Sequence, residues 1–194
     1  MLFRSLVFSP ERLSSGRAFE DLSNYPKIVG GISYECSEVG SRFYEKVIDF
    51  KKRNDLLPKY NGVWKMNNSE EAEYTKLIET IYRDVNIGLA NLFARNAKAW
   101  DLDIFHAIEA ANSQPFSHIH NPGISVGGHC IPVYPHLYSF SNKEIEPIMN
   151  FRAINESMPN YSIDLIQSEV GSLKNKNILR SEEHTSELQS RVDI

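Results

Sequence analysis

The chain has 194 residues, of which 41% are hydrophobic and 24% charged, and its formal net charge at pH 7 is −4. This composition is typical of a soluble globular protein, and the acidic balance excludes the basic surface that binds nucleic acids or anionic membranes. No apolar run is long enough to span a membrane, and the N-terminal run stops at Ser9-Pro10, too early for a signal peptide. We therefore predict a cytoplasmic protein in which Cys36 and Cys130 are free thiols.

The N-terminal part of the chain alternates between short apolar strands and a helix. Strands are predicted at 6–8, 25–32 and 62–66, each followed or bounded by Pro, Gly or polar residues. Between the last two strands, apolar residues at helical spacing predict a helix from about 37 to 52, with Ser37 as its N-cap. This alternation is typical of the end of a parallel α/β domain.

A long helix is predicted next, from Ser69 to about Ala97. Asn68 and Glu71 have the spacing of a capping box, and apolar residues then recur at steps of three and four. A helix of this length is typical of a spine between domains or of a subunit interface. A shorter helix is predicted from about 103 to 111.

The rest of the chain is less regular. Residues 112–138 are rich in Pro, Gly and His and predict a loop, a helix follows from about 153 to 170 with an interruption at Met158-Pro159, and 176–179 read as the start of a strand. Residues 180–194 contain RSEEHTSELQS, which a common sequencing-library adapter gives when translated in frame. We interpret them as an assembly artefact, with a genuine polar tail as the alternative, and expect the natural chain to continue past 179.

Cys130, in the run Gly127-Gly128-His129-Cys130, is the first candidate for chemistry. Paired glycines allow a ligand to approach the backbone closely, and an exposed thiolate in such a loop can act as a nucleophile. The alternative is a small buried apolar side chain, which is the commoner role of a lone cysteine.

Further candidates stand earlier in the chain. Lys76, Thr80 and Arg83 form a polar stripe on the predicted long helix, which is either part of a site or a solvated helix face. Glu11 follows a strand end and is either a general base or an ordinary surface carboxylate.

A zinc site is the competing hypothesis for the loop. Its possible ligands fall close together in the sequence and are His118, His120, His129, Cys130 and His136. The set has neither a Cys-x-x-Cys nor a His-x-x-x-His frame, so we predict no metal site. The chain also has no G-x-G-x-x-G run and therefore no dinucleotide fingerprint of its own.

Four motifs, in the same order and across nearly all of 8–179, resemble those of the UDP-glucose/GDP-mannose dehydrogenase family. They are Ser9-Pro10-Glu11-Arg12 with Gly16, Ala72-Glu73-Tyr74-Thr75-Lys76-Leu77, Pro122-Gly123 through Gly127-Gly128-His129-Cys130-Ile131-Pro132, and Asn155-Glu156-Ser157-Met158-Pro159. The SPER form and the GGHC loop are more similar to the UDP-N-acetylhexosamine and N-acetylmannosamine dehydrogenases than to the UDP-glucose enzymes.

The resemblance implies an α/β protein in three parts. Residues 1–67 correspond to the end of a Rossmann-type NAD-binding domain, whose glycine fingerprint is expected upstream of Met1. Residues 68–145 correspond to a central helical domain for catalysis and dimerisation. Residues 146–179 correspond to the truncated start of a second α/β domain, which binds the UDP-sugar.

The resemblance also implies an enzyme, an NAD-dependent oxidoreductase that makes polysaccharide precursors. Its substrate is a UDP-sugar of the UDP-N-acetylhexosamine type, whose C6 alcohol is oxidised to a carboxylate through a cysteine thioester, with two NAD as acceptors. A homodimer through the long helix is implied, with no nucleic-acid or membrane partner. The fragment alone is expected to be inactive, and the alternative function is a non-catalytic relic that binds nucleotide sugars or forms dimers.

By position in the motifs, Cys130 matches the family's nucleophile, Lys76 the lysine that stabilises oxyanion charge, and Glu11 the carboxylate that activates the hydrolytic water. The resemblance further implies substrate contacts at Thr80, Asn121, Pro122, Gly123 and Gly127, and cofactor contacts at Cys130 and Ile131.

Three positions depart from the family's pattern. Thr80 stands where the family usually has Asn, Tyr134 where it has Asp, and Ser15 where many members have a second Glu. Thr80 can still hydrogen-bond a sugar hydroxyl, but Tyr134 cannot replace a carboxylate as a base near neutral pH. His129 is the candidate to compensate, although adjacent residues in an extended loop point apart.

Overall fold

The structure, a computed structural model, describes residues 4–14, 16–52, 60–140 and 142–178. They form a mixed α/β structure that is mostly helical, and Ser15 and 179–194 lie outside them. The chain divides into two compact units within one long helix, between Ile78 and Glu79. In the part of the chain described, no helix combines the length and apolar character that a membrane span requires.

The first unit is built on a three-stranded sheet. Its elements are β1 Val7–Phe8, α1 Ala18–Asn24, β2 Lys27–Gly31, α2 Tyr34–Val47, β3 Val63–Lys65 and the first part of α3 Ser69–Ala99. β2 is the central strand and all its residues are buried; β3 pairs with it in parallel and β1 antiparallel. The three predicted strands are confirmed. The short helix α1 was not predicted, because its residues show no apolar repeat at helical spacing.

Helix α2 begins at Tyr34, earlier than predicted, with Ser33 rather than Ser37 as its N-cap. The hydroxyl of Ser37 is buried and accepts a hydrogen bond from the N–H of Gly31 at 2.8 Å. A side-chain carbon at Gly31 would lie 2.4 Å from the backbone nitrogen of Ser37, so only glycine allows this approach. The predicted N-cap is wrong because Ser37 lies where the helix packs on β2, whereas an equally suitable serine precedes it.

The predicted long helix is confirmed as α3, and its capping box is only half formed. The side chain of Asn68 accepts from the N–H of Glu71 at 2.8 Å, as predicted. The carboxylate of Glu71, however, accepts from the N–H of Asn67 at 2.9 Å, not from that of Asn68. This start of α3 packs tightly on β2, since a side-chain carbon at Gly30 would lie 2.1 Å from the carbonyl oxygen of Asn68.

The second unit contains the rest of α3 and three more described helices, α4 Ile104–Ala111, α5 Tyr134–Ser139 and α6 Glu146–Val170. α4 is as predicted. The prediction is wrong for the other two helices. Helix α5 lies inside the segment that was predicted to be a loop. Helix α6 begins before residue 153, and it continues through Pro159, where an interruption was predicted. Both begin with a proline in the first turn, where its missing N–H has no helical partner, so proline there favours a helix start rather than a loop. Residues 176–178 do not form the predicted strand.

Buried polar side chains join α3 to α6. Arg152 donates to the carboxylate of Asp84 at 2.6 Å, and Asn155 donates to the same oxygen at 2.8 Å. The amide of Asn91 then donates to the side-chain oxygen of Asn155 at 2.8 Å. All four side chains are buried, so these hydrogen bonds are made inside the protein and not to water.

Burial raises the pKa of the Asp84 carboxyl above its ordinary value, and the charge of Arg152 and the hydrogen bond from Asn155 lower it in part. The stability that Asp84 contributes is therefore present at acidic pH and decreases as the pH rises through the raised pKa. Arg152 limits this decrease, because its guanidinium compensates the carboxylate that forms.

Replacing Arg152 by Met tests the buried pair. The unpaired carboxylate of Asp84 should lower the free energy of unfolding by about 3 kcal/mol at pH 7. The loss should shrink at about pH 4.5, where the carboxyl, with its pKa raised further, can protonate. Urea denaturation followed by circular dichroism at the two pH values measures both quantities.

Lys98→Met is the matched control, since Lys98 also joins α3 to α6, but through an exposed pair with Glu169 at 4.0 Å. This substitution should leave the free energy of unfolding nearly unchanged. Equal losses for Arg152→Met and Lys98→Met would contradict the role given to the buried pair.

Candidate active site

Glu11 lies just after β1 in the first unit, and a buried lysine holds its carboxylate. Lys27, the first residue of β2, donates from its ammonium to Glu11, and the same ammonium lies 5.0 Å from the ring centroid of Tyr44. Lys27 is 6% exposed, whereas the side chain of Glu11 is 59% exposed. The pair therefore presents a carboxylate to solvent from a buried anchor, as a group that activates water requires.

The polar stripe of α3 is not a uniformly solvated face. Lys76 and Arg83 are half-buried, and Thr80 is fully buried. Lys76 belongs to the first unit and Thr80 to the second. The solvated-face alternative therefore fails for Thr80, whose hydroxyl lies inside the protein.

Asparagine side chains hold the loop that leads to Cys130. Asn86 on α3 donates to the carbonyl of His118 at 2.9 Å and accepts from the N–H of His120 at 3.1 Å. Asn112 likewise donates to the carbonyl of Ile119 at 2.8 Å and accepts from the N–H of Ile119 at 2.9 Å. Because this loop has no regular structure, its backbone groups need such side-chain partners.

The buried network of α3 and α6 continues into the same loop. The side-chain oxygen of Asn91, whose amide bonds to Asn155, accepts from the N–H of Gly123 at 2.9 Å. Around this anchor, the predicted substrate residues differ in exposure: Asn121 is exposed, Pro122 and Gly123 are half-buried, and Gly127 is buried.

Gly128 gives the loop the turn that precedes the cysteine. Its φ is +87°, a value that L side chains rarely adopt, so this position favours glycine. His129 and Cys130 follow, the first exposed and the second half-buried, and Ile131 is buried. The thiol of Cys130 is therefore neither packed in the core nor fully solvated, in contrast to the alternative of a small core residue.

Cys130 and Tyr134 are joined within one turn of chain. The carbonyl of Cys130 accepts from the N–H of Tyr134 at 3.0 Å and from that of Val133 at 3.2 Å. Burial raises the pKa of the Tyr134 phenol, and the neighbouring thiolate charge and side-chain hydrogen bond of Cys130 raise it further. Tyr134 therefore keeps its proton near neutral pH and is not a base there.

The zinc hypothesis finds no support in the described residues, where no group of three or more His, Cys, Asp or Glu side chains is arranged to hold a metal ion. Two of the histidines have other contacts. His120 stacks edge-on against Tyr82 at 6.3 Å between ring centroids, and His136 lies 3.9 Å from the carboxylate of Glu156.

The sequence-based prediction missed the residues that position the loop. Asn86, Asn91 and Asn112 are polar residues next to or within helices, and nothing in their spacing distinguishes a loop anchor from a surface amide. Asn155 was noted as part of a motif, but its buried partners Asp84 and Asn91 were not. The one available signal was the spacing of Asp84 and Asn91, which are seven residues apart and therefore lie on one face of α3.

The mixed α/β fold with its long helix α3 matches structures of nucleotide-sugar dehydrogenases. Residues 70–157 match the central domain of the UDP-glucose/GDP-mannose dehydrogenase family. The chain belongs to this family, as the resemblance predicted.

Two relatives illustrate the similarity. The chain is 36% identical over 162 residues to the UDP-N-acetyl-D-mannosamine dehydrogenase of Pyrococcus horikoshii, a match that covers 83% of this chain and 36% of the relative. It is 31% identical over 166 residues to that of Campylobacter jejuni, which covers 85% of this chain and 38% of the relative. The chain thus spans little more than a third of the length of these relatives.

Solved structures of nucleotide-sugar dehydrogenases have a similar fold. The UDP-D-ManNAc dehydrogenase structure from Pyrococcus horikoshii matches with a TM-score of 0.75 at 34% identity, over 86% of this chain and 37% of that one. A UDP-glucose dehydrogenase from Pyrobaculum islandicum matches with a TM-score of 0.73 over 87% of this chain and 38% of that one. At 22% identity the second match supports the fold alone.

Asn86→Ala tests how the loop is held. The substitution removes the acceptor of the His120 N–H and the donor to the His118 carbonyl. The His120 amide should then exchange its hydrogen about tenfold faster, as expected for the loss of about 1.4 kcal/mol of local protection. Hydrogen exchange followed by NMR measures the rate.

Asn96→Ala is the control, because Asn96 is an exposed asparagine on the same helix. It should leave the exchange of His120 unchanged. The loop assignment is refuted if the His120 amide exchanges at the same rate in both variants.

Proposed function

We propose that this chain supplies the catalytic central part of an NAD-dependent nucleotide-sugar 6-dehydrogenase. The substrate is a UDP-N-acetylhexosamine, with UDP-N-acetylmannosamine the first choice, because the relatives described above carry that sugar in their names. The product is the sugar carboxylate, which serves polysaccharide synthesis. The observation that carries the proposal is the half-buried thiol of Cys130 at the end of an anchored loop, in a chain of this family.

Cys130 is the nucleophile in this proposal. Its thiolate adds to the carbonyl carbon of the C6 aldehyde, and the carbonyl oxygen takes up the negative charge. Loss of a hydride from the same carbon to the bound acceptor then leaves the new C–S bond in a thioester. Water then attacks the thioester carbon, the C–S bond breaks, and the sulfur leaves as thiolate. The carboxylate of Glu11, held by Lys27, accepts a proton from that water. The ammonium of Lys76 stabilises the negative charge that develops on the substrate oxygen.

The substrate contacts proposed for this chain follow the loop and α3. Backbone groups of the loop contact the sugar nucleotide, with Thr80 donating or accepting one hydrogen bond from α3. The proposed substrate residues are Thr80, Asn121, Pro122, Gly123 and Gly127. Gly123 supports this role, because no atom lies within 4 Å of where a side chain would begin, which leaves the backbone open to a ligand.

When bound, NAD would supply the hydride acceptor for both oxidations, that of the alcohol to the aldehyde and that of the thiol adduct to the thioester. The described residues do not fit its pyrophosphate, since the chain has no G-x-G-x-x-G run and the glycine pair at the end of β2, Gly30-Gly31, is already covered by Asn68 and Ser37. We therefore propose that this chain provides the residues that act on the sugar, and not those that bind the NAD pyrophosphate. Cys130 and Ile131 are its proposed contacts with the nicotinamide end.

The proposed working form is a cytoplasmic homodimer built through α3. Tyr82 and Phe93, three turns apart and therefore on one face of α3, are 54% and 38% exposed. Such apolar side chains on a long helix support a contact with a second copy. The proposal also includes the domain limits predicted above, which fall at 67/68 and 145/146. It further includes the interpretation of residues 180–194 as an assembly artefact.

A non-catalytic relic that binds nucleotide sugars or forms dimers is the second candidate. Tyr134 favours it, because a neutral phenol stands where the family has a carboxylate. The two candidates differ in whether Cys130 forms product.

A chimera measures this difference. Residues 4–178 would replace the corresponding segment of the Pyrococcus horikoshii relative, which supplies the rest of the enzyme. With UDP-N-acetylmannosamine and NAD, the chimera should produce two NADH for each carboxylate. Cys130→Ser should reduce carboxylate formation by about three orders of magnitude or more, because it removes the group that carries the acyl intermediate.

Cys36→Ser in the same chimera is the control, since Cys36 lies on α2 in the first unit and has no proposed role. It should keep full activity. A folded chimera that binds UDP-sugar but forms no carboxylate would favour the relic, and undiminished turnover by Cys130→Ser would reject Cys130 as nucleophile.

A further inference from the structure

The Glu11 segment, which runs from Ser9 to Ser14, is anchored at both ends. The hydroxyl of Ser9 donates to the carbonyl of Ile28 on β2 at 2.7 Å. The N–H of Ser14 donates to the carboxylate of Asp21 on α1 at 2.8 Å. Because Glu11 lies between these two hydrogen bonds, its backbone takes its position from them.

Asp21 differs from an ordinary loop anchor because its carboxylate is buried, with the residue 1% exposed. One carboxylate oxygen accepts from the N–H of Ser14. The other has no hydrogen-bond partner in the described part of the chain and lies 3.7 Å from the guanidinium of Arg17. Burying a carboxylate costs free energy that an apolar side chain of similar size would not cost. The hydrogen bond to the Glu11 segment is therefore the role that the structure shows for this carboxylate.

Glu11 and Asp21 also line one cavity, together with Lys27. Its volume is about 10 Å³, which is close to the room that a single water needs. The Glu11 segment therefore packs closely on α1 and on the start of β2. Because the packing is close, loss of the hydrogen bond to Asp21 is expected to displace Glu11 as well.

We propose that Asp21 is a positioning residue for Glu11: it fixes the backbone of the Glu11 segment, so that the Glu11 carboxylate meets the water that attacks the thioester. The proposal rests on the proposed function, in which Glu11 accepts a proton from that water. It goes beyond the contact with Lys27, because Lys27 holds the side chain of Glu11, whereas Asp21 holds the backbone that carries it. In this role Asp21 acts only through Glu11.

The step that Asp21 affects can be separated from the two oxidations in the chimera described above, because both hydride transfers precede hydrolysis of the thioester. With saturating UDP-N-acetylmannosamine and NAD, rapid-mixing absorbance measures the two NADH that form first. Intact-mass spectrometry measures the acyl group carried by Cys130. Loss of water activation leaves this first NADH phase unchanged, slows the steady state and makes the acyl group accumulate.

Asp21→Leu should slow hydrolysis of the thioester by about tenfold or more, because Glu11 is displaced from the attacking water. The first NADH phase should keep its native rate, and the acylated fraction of the chimera should rise. Asp21→Asn should stay within about threefold of the native hydrolysis rate, because its amide oxygen can still accept from the N–H of Ser14. Should Asp21→Leu not fold by circular dichroism, Asp21→Ser takes its place with the same expected result, because its shorter side chain stops short of that N–H.

Glu20→Leu is the matched control. Glu20 is an exposed carboxylate on the same helix and also pairs with Arg17, at 3.6 Å, but its hydrogen bond is to Asn24 and not to the Glu11 segment. This substitution should leave hydrolysis at the native rate. Asp21→Leu combined with Glu11→Gln is the second test, and it should be no slower than Glu11→Gln alone, because Asp21 acts only through Glu11.

A native hydrolysis rate in folded Asp21→Leu, or an equal slowing of the first NADH phase, would overturn the proposal. The same loss in Asp21→Asn or in Glu20→Leu would also overturn it, as would a further slowing when Asp21→Leu is added to Glu11→Gln. Failure of the proposed function has a different sign, which is a chimera that keeps its turnover in Cys130→Ser or carries no acyl group on Cys130 in Glu11→Gln.

Discussion

A buried carboxylate with two donors on another helix is the interaction on which the second unit depends. Asp84 lies on α3, and its partners Arg152 and Asn155 lie on α6. Such a network is strongly specific, because sliding either helix by one residue would leave a charge buried without a partner. It therefore sets the register between α3 and α6, and burial, which raises the pKa of Asp84, leaves the carboxylate dependent on these two donors.

The same network reaches the candidate nucleophile through the loop. Asn155 bonds to Asn91, and Asn91 bonds to the backbone of Gly123, so the loop takes its position from the helix pair. Gly128 then turns the chain, and Tyr134 closes the turn that begins at Cys130. An irregular segment thus presents a thiol from a defined position, because rigid helices supply the hydrogen-bond partners that the loop itself lacks.

The sequence predicted those features that have a local pattern. The apolar repeat predicted α3, and the glycine-rich run identified the loop of Cys130. Helix α5 was missed because its proline was counted with the loop residues, although the first turn of a helix accepts proline. The start of α6, which also has a proline in its first turn, was missed as well. The anchors of the loop could not be predicted, since an asparagine such as Asn91 becomes informative only when its distant partner Asn155 is known.

Hydrogen exchange in Asn155→Ala tests the coupling between the helix pair and the loop most directly. Asn155 has no hydrogen bond to the loop, and it acts on Gly123 through Asn91. The account predicts that the Gly123 amide exchanges several-fold faster in this variant, while the His120 amide, which is held by Asn86, changes much less. An unchanged ratio between the two exchange rates would contradict it.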